Sequence, residues 1–569
     1  MNLNFFGGVS RLAAIGAILL GSASCIYVDE TLGKNFIPTD QKWNVFTPEP
    51  VPLTQIQMHM ADSLSGYSTS RFTFGSISDD ILGPCVKSAS FTLVPVQDSL
   101  DFGENIRIRG FHFTAVKDTV SVNDESQKKI IQNVYVSELK APLDSNVMYA
   151  GSFMNSQETR DKYLDLGNII TDGIPVYEGG DSLSFEFSRT FAEKIVKKLN
   201  RTPLDSMDLY LKEVPGIYIT TDAPAGNGGR INMFNVEIGK NDSGYITGNY
   251  AELKITADYG DRKDVDTSFV FIFGLGDFLK NLSSTSNLTQ YAFNSGEHAT
   301  AKEYSKGILA DEKIYIEGGC GIKPVVKASE IKDILEAELA AAGIKDYKEV
   351  VVNKATIILP YDAAGDYSAL DNYPMILSPT VRLRSSDRKY VSFAGLTDSS
   401  IESENQGDIN RSLSVYSPDI SHHVQEILKL DRNDADFSET IGNYDIWFLI
   451  MHTETSSASN SSNSSYMQDY YNNLLYNSYY NNMMYNPYGY GSYGYGGYGY
   501  GYGGYGYGNN YYNYMMMAMY SSSYGSSTET LTTEMDKDRY YRAILNGPGA
   551  SSSVPQLKIT FSAPKTAEE

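Results

Sequence analysis

The clearest strand signature in the chain reads Ile106-Arg107-Ile108-Arg109-Gly110-Phe111-His112-Phe113. Apolar and polar residues alternate on both sides of Gly110, which is the pattern of a strand with one buried face. The apolar parity changes at Gly110, as it does where a β-bulge inserts one extra residue into a strand. This stretch therefore predicts a bulged strand in an antiparallel sheet.

Similar patterns recur along the chain and predict a mainly β protein. Alternating or continuous apolar runs indicate further strands at residues 134–136, 183–187 and 269–273. One helix is clear, with Ser329 as its N-cap, Ile331, Leu335 and Leu339 on its apolar face, and Gly343 at its end. Many short strands with glycine and asparagine turns are typical of β-sandwiches, so we expect jelly-roll-like sandwiches with a few short helices.

Three pairs of similar segments occur in the same order and predict two related domains. The pairs are residues 86–95 with 352–360, 188–199 with 424–430, and 251–256 with 555–560. A collinear order is the sequence signature of an internal duplication. We expect one β-sandwich over residues 46–275 and a second over residues 286–565.

An insertion of different character interrupts the second predicted domain at residues 456–527. It is almost free of charge, with Asp469 as the exception, and it holds about half of the chain's 44 tyrosines, many of them in Tyr-Gly repeats. Frequent glycine and the lack of a core pattern predict a disordered, low-complexity loop. The loop could be a tolerated expansion at a loop tip, or a self-associating or glycan-stacking surface.

The first 24 residues predict a lipoprotein signal peptide. Arg11 precedes the apolar run 12–20, and the small residues Gly21-Ser22-Ala23-Ser24 stand directly before Cys25. This order resembles the lipobox of bacterial lipoproteins, in which the cysteine is acylated and becomes the new N-terminus. We therefore expect an acylated Cys25 and a tether over residues 25–45, with an ordinary secretory cleavage site as the alternative.

The composition argues against nucleic acid as a partner. The chain of 569 residues has a net charge of -23, whereas phosphate binding draws its affinity from clustered cations. Its three cysteines are too few for a disulfide-built scaffold. Beyond Cys25 only Cys85 and Cys320 remain, and these two could form a disulfide or lie as two separate buried thiols.

The motifs in the sequence do not predict catalysis, a bound metal or a cofactor. His422-His423 stands at a predicted helix start without the glutamate of a metalloprotease motif. A nucleophile elbow of the Gly-x-Ser-x-Gly kind is absent from the sequence. One turn is crowded with carboxylates that do not follow a calcium-loop pattern, namely Asp258, Asp261, Asp264 and Asp266. We expect a non-catalytic protein, and the sequence names no ligand-binding residue.

Several segments together resemble an uncharacterised outer-membrane lipoprotein family of the Bacteroidota, domain of unknown function 4270. They are Phe74-Gly75-Ser76-Ile77-Ser78-Asp79-Asp80, Ile314-Tyr315-Ile316-Glu317-Gly318-Gly319, and residues 352–360, 541–547 and 557–561. The acidic pair Asp29 and Glu30 also resembles the surface-export signal of Bacteroidota lipoproteins. The resemblance covers most of the chain outside the Tyr-Gly insertion, and it implies an outer-membrane lipoprotein without indicating an activity.

These observations predict a lipid-anchored outer-membrane protein, displayed at the cell surface, that acts as a non-catalytic binding or structural subunit of an outer-membrane assembly. Its partners would be membrane lipid, through acylated Cys25, and an outer-membrane protein. A periplasmic position is the alternative to surface display. The alternative functions are a glycan-binding lipoprotein that feeds a polysaccharide uptake system, with Trp43 as one candidate aromatic platform, and a surface hydrolase.

Overall fold

The computed structural model describes residues 43–564 with internal gaps. The predicted signal peptide, Cys25 and the Tyr-Gly insertion lie outside the described residues. The gaps are residues 62–63, 65, 69–70, 97–99, 119–129, 144–150, 203–206, 237, 241–245, 274–291, 300, 363–369, 371, 385–390, 397, 399–406 and 457–529.

The described residues form mostly short antiparallel strands. Those of the N-terminal half are β1 (Trp43–Phe46), β2 (Val51–Pro52), β3 (Gln57–Met60), β4 (Tyr67–Ser68), β5 (Arg71–Asp79), β6 (Gly83–Phe91), β7 (Leu93–Pro95), β8 (Glu104–Val116), β9 (Gln132–Asn133), β10 (Tyr135–Leu139), β11 (Leu164–Ile169), β12 (Val176–Tyr177), β13 (Ser182–Glu186), β14 (Ile217–Thr220), β15 (Gly228–Asn235), β16 (Ile238–Lys240), β17 (Ile246–Gly248), β18 (Tyr250–Tyr259), β19 (Arg262–Phe273) and β20 (Ala292–His298).

The C-terminal half continues the series and is followed here by the helices. Its strands are β21 (Ile308–Leu309), β22 (Lys313–Glu317), β23 (Ile322–Val326), β24 (Val351–Pro360), β25 (Ile376–Arg384), β26 (Val391–Gly395), β27 (Ile409–Asn410), β28 (Val415–Tyr416), β29 (Ile446–Ser456), β30 (Thr530–Met535), β31 (Arg542–Asn546) and β32 (Gln556–Pro564). The α-helices in the described part of the chain are α1 (Gln157–Tyr163), α2 (Arg189–Leu199), α3 (Met207–Glu213), α4 (Ala301–Tyr304), α5 (Ala328–Ala341), α6 (Ser421–Lys429) and α7 (Phe437–Gly442).

A first sandwich is built around a core rich in phenylalanine. One sheet has the strand order β11-β10-β14-β6-β20-β4, extended by β5 and β15, and the facing sheet has the order β13-β8-β18-β19-β7. The ring of Phe113 in β8 stacks on the rings of Phe185 and Phe273, with centroids 4.6 Å and 4.5 Å apart. Its centroid lies 5.9 Å from that of Phe91 in the opposite sheet. Burial of these rings supplies the main driving force for closing the two sheets.

Strand β8 contains the bulge that its sequence predicts. In its pairing with β18, Lys254 lies opposite Gly110, and the next residue, Ile255, lies opposite Ile108. Arg109 is therefore the extra residue, and the buried positions change parity at this point. The alternation that predicted the strand and the break that predicted the bulge are both confirmed.

A second sandwich contains two further sheets and the helices α5 and α6. One sheet has the order β1-β32-β24-β28-β27, with β2 also on β32, and the other has the order β21-β3-β23-β29-β25-β26, with β30 on β29. Ile331 and Leu335 of α5 and Val424 and Ile427 of α6 are fully buried in their common core. The mainly β, sandwich-like fold class is confirmed.

The division of the chain into 46–275 and 286–565 needs correction, because the two halves exchange strands. β1, β2 and β3 lie in the sheets of the second sandwich, where β1 pairs with the last strand, β32. β20 lies beyond residue 286 but pairs with β6 of the first sandwich. Sequence patterns cannot reveal such exchanges, since pairing partners are far apart along the chain.

The predicted duplication does not extend to strand pairing. In the second sandwich β24 and β32, which carry two of the matched segments, are direct neighbours. Their proposed counterparts in the first sandwich, β6 and β18, lie in different sheets. Short apolar strands share similar sequences because they share a buried, pleated environment, and this is enough to account for the matches.

Helix α5 begins differently from the prediction. The helix starts at Ala328, so Ser329 lies inside the first turn. The side chain of the N-cap residue, Lys327, makes no capping hydrogen bond. Instead Asp445 accepts a hydrogen bond from the Ala328 N–H at 3.0 Å. The predicted end is confirmed, because Gly343 follows the last turn with a φ of +78°.

Strands β29 and β30 flank the Tyr-Gly insertion and form an antiparallel hairpin. Their register runs from Met451 opposite Met535 to Ser456 opposite Thr530. The insertion therefore connects two directly paired strands, as a hairpin loop does. Among the described helices, none has the length and apolar character needed to cross a bilayer.

Candidate functional site

A buried group of ionisable side chains lies where the first sandwich meets the second. It is formed by β6 and β20 of the first sandwich and by the connection between β22 and β23 of the second. We call it the interface cluster, and its members are Cys85, Lys87, His298, Glu317, Cys320 and Lys323. Each of the six residues is no more than 4% exposed. Buried ionisable groups persist only when they are paired, so the arrangement of their partners is informative.

The register of two strands places the first members together. β20 runs antiparallel to β6, with His298 opposite Cys85 and Gly296 opposite Lys87. Directly opposed residues project to the same face of a sheet, which makes the imidazole and the thiol neighbours. The Cys85 Sγ atom lies 3.9 Å from His298 Nε2.

The absent side chain of Gly296 leaves space that three functional groups share. A Cβ atom at this position would lie 3.0 Å from Lys87 Nζ, 3.1 Å from Cys320 Sγ and 3.3 Å from His298 Nε2. The Cys320 thiol also lies 3.5 Å from the carbonyl oxygen of Gly296. The ammonium, the thiol and the imidazole therefore converge on one point above the backbone of β20.

The connection Gly318-Gly319-Cys320-Gly321 brings the second sandwich into the cluster. Lys323 Nζ donates to the carbonyl oxygen of Glu317 and to those of Gly319 and Gly321, at 3.0 Å and 3.2 Å. Three carbonyl acceptors satisfy a buried ammonium and draw the chain around it. Gly319 has a φ of +59°, which a side chain would strain, and the turn presents Cys320 to β20.

Glu317 lies behind the imidazole of His298, on the side away from Cys85. Glu317 Oε2 is 2.6 Å from His298 Nδ1. Neither atom has a well-aligned hydrogen-bond partner among the described residues. We therefore describe the contact as a short ion pair, in which the carboxylate favours a proton on Nδ1 and directs Nε2 towards the two thiols.

The charges in the cluster shift one another's ionisation. Burial disfavours the Cys320 thiolate, but His298 and Lys87 outweigh burial and lower the pKa of Cys320 to about 7. Burial also opposes the charged form of His298, yet the thiols and Glu317 raise its pKa well above the usual value. The pKa of Glu317 falls below its ordinary range because His298 and the nearby lysines overcome the effect of burial. The cluster thus favours a charged, mutually compensated state.

This arrangement permits two kinds of chemistry. A thiol beside an imidazole that is backed by a carboxylate is the order of groups in a nucleophilic cysteine site. The cavity beside Cys320, between Lys87, Gly151 and Gly296, measures about 10 Å³, which is room for one water molecule and not for a substrate. The second kind is metal binding, because donor atoms of Cys85, His298 and Glu317 all lie within 4.8 Å of one another.

The two cysteines that the sequence singled out meet in this cluster. Both Cys85 and Cys320 are free and buried, which corresponds to the second of the two predicted alternatives, and both lie beside His298. No sequence motif connects them with His298 or Glu317. Cys85 and His298 are 213 residues apart, and only the pairing of β6 with β20 brings them together.

The histidine pair that the sequence singled out begins α6. The backbone N–H groups of His422 and His423 donate to the carboxylate of Asp398 at 2.6 Å and 3.1 Å. The ring Nε2 of His423 lies 2.8 Å from the carbonyl oxygen of Tyr444, and burial lowers the pKa of this ring. These contacts give the pair a structural role at the helix start.

The acidic turn lies in the hairpin between β18 and β19, where its carboxylates bond to protein donors. Asp258 accepts from the side-chain amide of Asn105 at 2.7 Å and from the Asp264 N–H at 3.0 Å. Asp264 itself pairs with Arg107. Asp266 accepts from the Thr256 hydroxyl at 2.6 Å. These bonds supply a structural reason for Asp258, Asp264 and Asp266 at this turn.

Comparisons with known proteins identify no relative of this chain. No protein-family model, curated protein or solved structure matches the chain. The resemblance to the Bacteroidota lipoprotein family therefore stays a prediction from the quoted segments, and the function has to be argued from the chain's own residues.

Proposed function

We propose that this chain is a lipid-anchored outer-membrane protein that works at the cell surface by binding, as a structural or accessory subunit of an outer-membrane assembly. The observation that carries the proposal is the apolar run 12–20 followed by Gly21-Ser22-Ala23-Ser24-Cys25. A single acyl chain holds a protein at a membrane only marginally, whereas two or more make the attachment stable. Acylation at Cys25 would thus fix the location of the whole chain.

The position of the first strand supports a tether at the N-terminus. Trp43 begins β1, the edge strand of its sheet, and 17 residues separate it from Cys25. A segment of that length spans at most about 60 Å when fully extended. The second sandwich, which contains β1, would therefore be the part of the protein closest to the membrane anchor.

An exposed apolar patch lies on the same sheet. Val45 of β1 and Val351 of β24 both lie opposite Ser562 of β32, so the three residues form a row on one face. Trp43 is on that face too, two residues from Val45. The residues Trp43, Val45 and Val351 are 49%, 67% and 45% exposed. Tryptophan is enriched where proteins meet the bilayer interface, so this face suits a position against lipid.

Action by contact is supported by how the reactive groups are enclosed. The thiols, imidazole and carboxylate of the interface cluster are buried between the two sandwiches, next to a cavity with room for one water molecule. A catalytic site needs the reacting atoms of a substrate within about 3 Å of the nucleophile. An enclosed cluster of this kind is better suited to connecting the two sandwiches than to catalytic turnover.

The test of lipid anchoring compares two adjacent substitutions in the full-length chain. Cys25→Ser should release the protein from washed membranes into the soluble fraction. Ser24→Ala is the control, because it keeps a small residue before the cysteine and should leave the protein in the membrane fraction. Membrane association of the Cys25→Ser variant equal to that of the wild type would overturn the proposal.

The subunit role has a separate test. Purification of the chain from gently solubilised membranes should recover an integral outer-membrane protein in a fixed ratio. Recovery of the lipoprotein alone, from membranes in which it is anchored, would contradict the role in an assembly and leave the location intact.

A surface recess supports glycan binding as the second candidate function. The recess has a volume of about 350 Å³ and is lined by Asp408, Ile409, Asn410, Arg411, Ser412 and Ser417. Carboxylate, amide, guanidinium and hydroxyl groups can all bond to sugar hydroxyls. Polysaccharide that slows the protein in a native gel, with the effect lost in Arg411→Ala, would favour this function over the first.

A further inference from the structure

The two thiols and the imidazole of the interface cluster have the spacing of metal ligands. In a tetrahedral zinc site, with bonds of about 2.3 Å to sulfur and 2.0 to 2.1 Å to nitrogen, the two donor atoms lie about 3.6 Å apart. Cys85 Sγ and His298 Nε2 are separated by 3.9 Å. A shift of a few tenths of an ångström would bring both atoms to bonding distance from one ion.

Cys320 offers a third donor from the turn between β22 and β23. Its Sγ atom is not among the donor atoms that lie within 4.8 Å of one another, so the turn must move towards Cys85 for Cys320 to bind the same ion. The Cys320 Sγ atom and His298 Nε2 both lie close to the space above Gly296, at 3.1 Å and 3.3 Å from the place that a Cβ would take. The two donors therefore face one small volume that is free of side-chain carbon because residue 296 is glycine. Two thiolates and one imidazole are a ligand set that zinc commonly uses.

Glu317 completes the pattern behind the ligand. Metal-binding histidines nearly always give their second ring N–H to a carboxylate or carbonyl group, which fixes the tautomer and orients the ring. Glu317 Oε2 lies 2.6 Å from His298 Nδ1, on the side of the ring away from the thiols. The carboxylate leaves Nε2 as the atom that can bind an ion.

The small cavity borders Cys320 but not Cys85 or His298, so it offers a place for water next to one of the three ligands. It is lined by Cys320, Lys87, Gly151 and Gly296 among others, and its volume of about 10 Å³ holds one water molecule. Lys87 Nζ borders the same space, where it can donate to a thiolate sulfur. Two thiolates and a divalent cation have no net charge, so an ion would offset the burial of both thiolates. Glu317 would then face the two lysines of the cluster, Lys87 and Lys323, and burial lowers the pKa of Lys323 to about 7.

We propose that Cys85, His298 and Cys320 bind one Zn²⁺ ion, with Glu317 orienting the imidazole. The ion joins β6 and β20 of the first sandwich to the turn between β22 and β23 of the second. Its role is structural, because the surroundings are buried and the adjoining cavity has no room for a substrate. This inference is independent of the lipid anchor and of any binding partner.

The experiment measures zinc in the full-length chain purified in detergent. We expect one zinc per chain by elemental analysis, and Co²⁺ added after chelation should produce sulfur-to-metal charge-transfer absorption. Cys85→Ser and Cys320→Ser should each abolish that absorption. His423→Gln is the matched control, since it removes a buried imidazole from α6, outside the cluster, and should keep the zinc.

Variants that retain every ligand keep the proposal testable if the cysteine variants do not fold. Glu317→Gln should weaken zinc binding by roughly 10- to 100-fold. Gly296→Ala should prevent binding, because its methyl group would occupy the shared space. A folded wild-type chain that binds no Zn²⁺ in a titration, or that contains a disulfide between Cys85 and Cys320, would overturn the proposal. Unchanged zinc content in the folded Gly296→Ala variant would do the same.

Discussion

His59 lies in a half-buried position that keeps its ring neutral. The ring is packed on Trp447 with centroids 5.2 Å apart, and its Nε2 lies 2.9 Å from Gln57 Oε1. Burial lowers the pKa of His59 to about 4, and the charges of Lys327 and Arg382 act in the same direction. Protonation below neutral pH is therefore easier in the unfolded chain than in the folded one.

The first prediction follows from this difference. In the unfolded state the ring gains a proton below about pH 6.5, whereas in the folded state it does so only near pH 4, so stability should fall as the pH drops through that window. We expect His59→Phe, which keeps a flat ring, to reduce this loss by about 1 to 2 kcal/mol, since partial exposure screens the neighbouring charges. Denaturant unfolding of both proteins at about pH 7 and at about pH 4.5 measures this loss of stability. Equal pH dependence in both proteins would contradict the assignment.

Single residues also mark the limit of what the sequence could predict about the site. Both cysteines could be singled out because the chain has so few of them. His298 and Glu317 could not, because neither belongs to a local motif and each reaches the thiols through strand pairing and a tight turn. Contacts between residues far apart in sequence depend on the register of strands, which a single sequence does not contain.

At the level of elements, local patterns predicted the strands and a distant residue replaced the predicted cap. Alternation sufficed for β8, β10 and β13, because a half-buried strand requires it wherever it lies in the fold, and a continuous apolar run indicated β19. The start of α5 was missed because Asp445, more than 100 residues away, accepts a hydrogen bond from the Ala328 N–H at the helix start, and a local sequence pattern does not contain such a residue.

The second prediction separates the two possible caps. Asp445→Ala should reduce the free energy of unfolding by about 1 to 2 kcal/mol, because it removes the acceptor for the Ala328 N–H and the partner of Lys327. Ser329→Ala is the control, and it should change the stability by less than about 0.5 kcal/mol, since Ser329 is an exposed residue within the helix. The reverse ranking in denaturant unfolding would show that Ser329 is the cap.

The third prediction concerns the hairpin of β29 and β30. The strands pair up to Ser456 and Thr530, so replacement of residues 457–529 by Asn-Gly can close the hairpin with a two-residue turn. We expect the melting temperature to stay the same or rise, because closing a shorter loop costs less entropy, by about 0.6 kcal/mol for each halving of length. A large decrease in the melting temperature by calorimetry would show that the insertion packs on the folded body.

At the level of the whole molecule, the two sandwiches exchange strands and share the interface cluster. The described part of the chain begins with β1, at the edge of the second sandwich, and then passes into the first sandwich. After β20, which pairs with β6 of the first sandwich, the chain returns to the second. The mainly β class could be predicted from periodicity, but the domain boundaries could not, because β1 to β3 find their partners hundreds of residues later. Long-range pairing of this kind also explains why the similar segments are not equivalent in the sheets.

The fourth prediction uses the two tryptophans to test how the molecule is oriented. In vesicles that contain brominated phospholipid, a Trp447→Phe variant, which retains Trp43, should lose fluorescence by quenching. A Trp43→Phe variant should not, because Trp447 is only 6% exposed, within the core around Phe393 and Leu449. Equal quenching of the two variants would contradict a position of the Trp43 patch against the lipid.

We propose above all that acyl chains at Cys25 hold this two-sandwich body on a membrane. Mass spectrometry of the N-terminal peptide, from protein extracted from native membranes, tests this attachment. We expect a peptide that begins at Cys25 and carries a glyceride and fatty acids. A peptide that contains Cys25 as an unmodified thiol, or that begins at another residue, would contradict it.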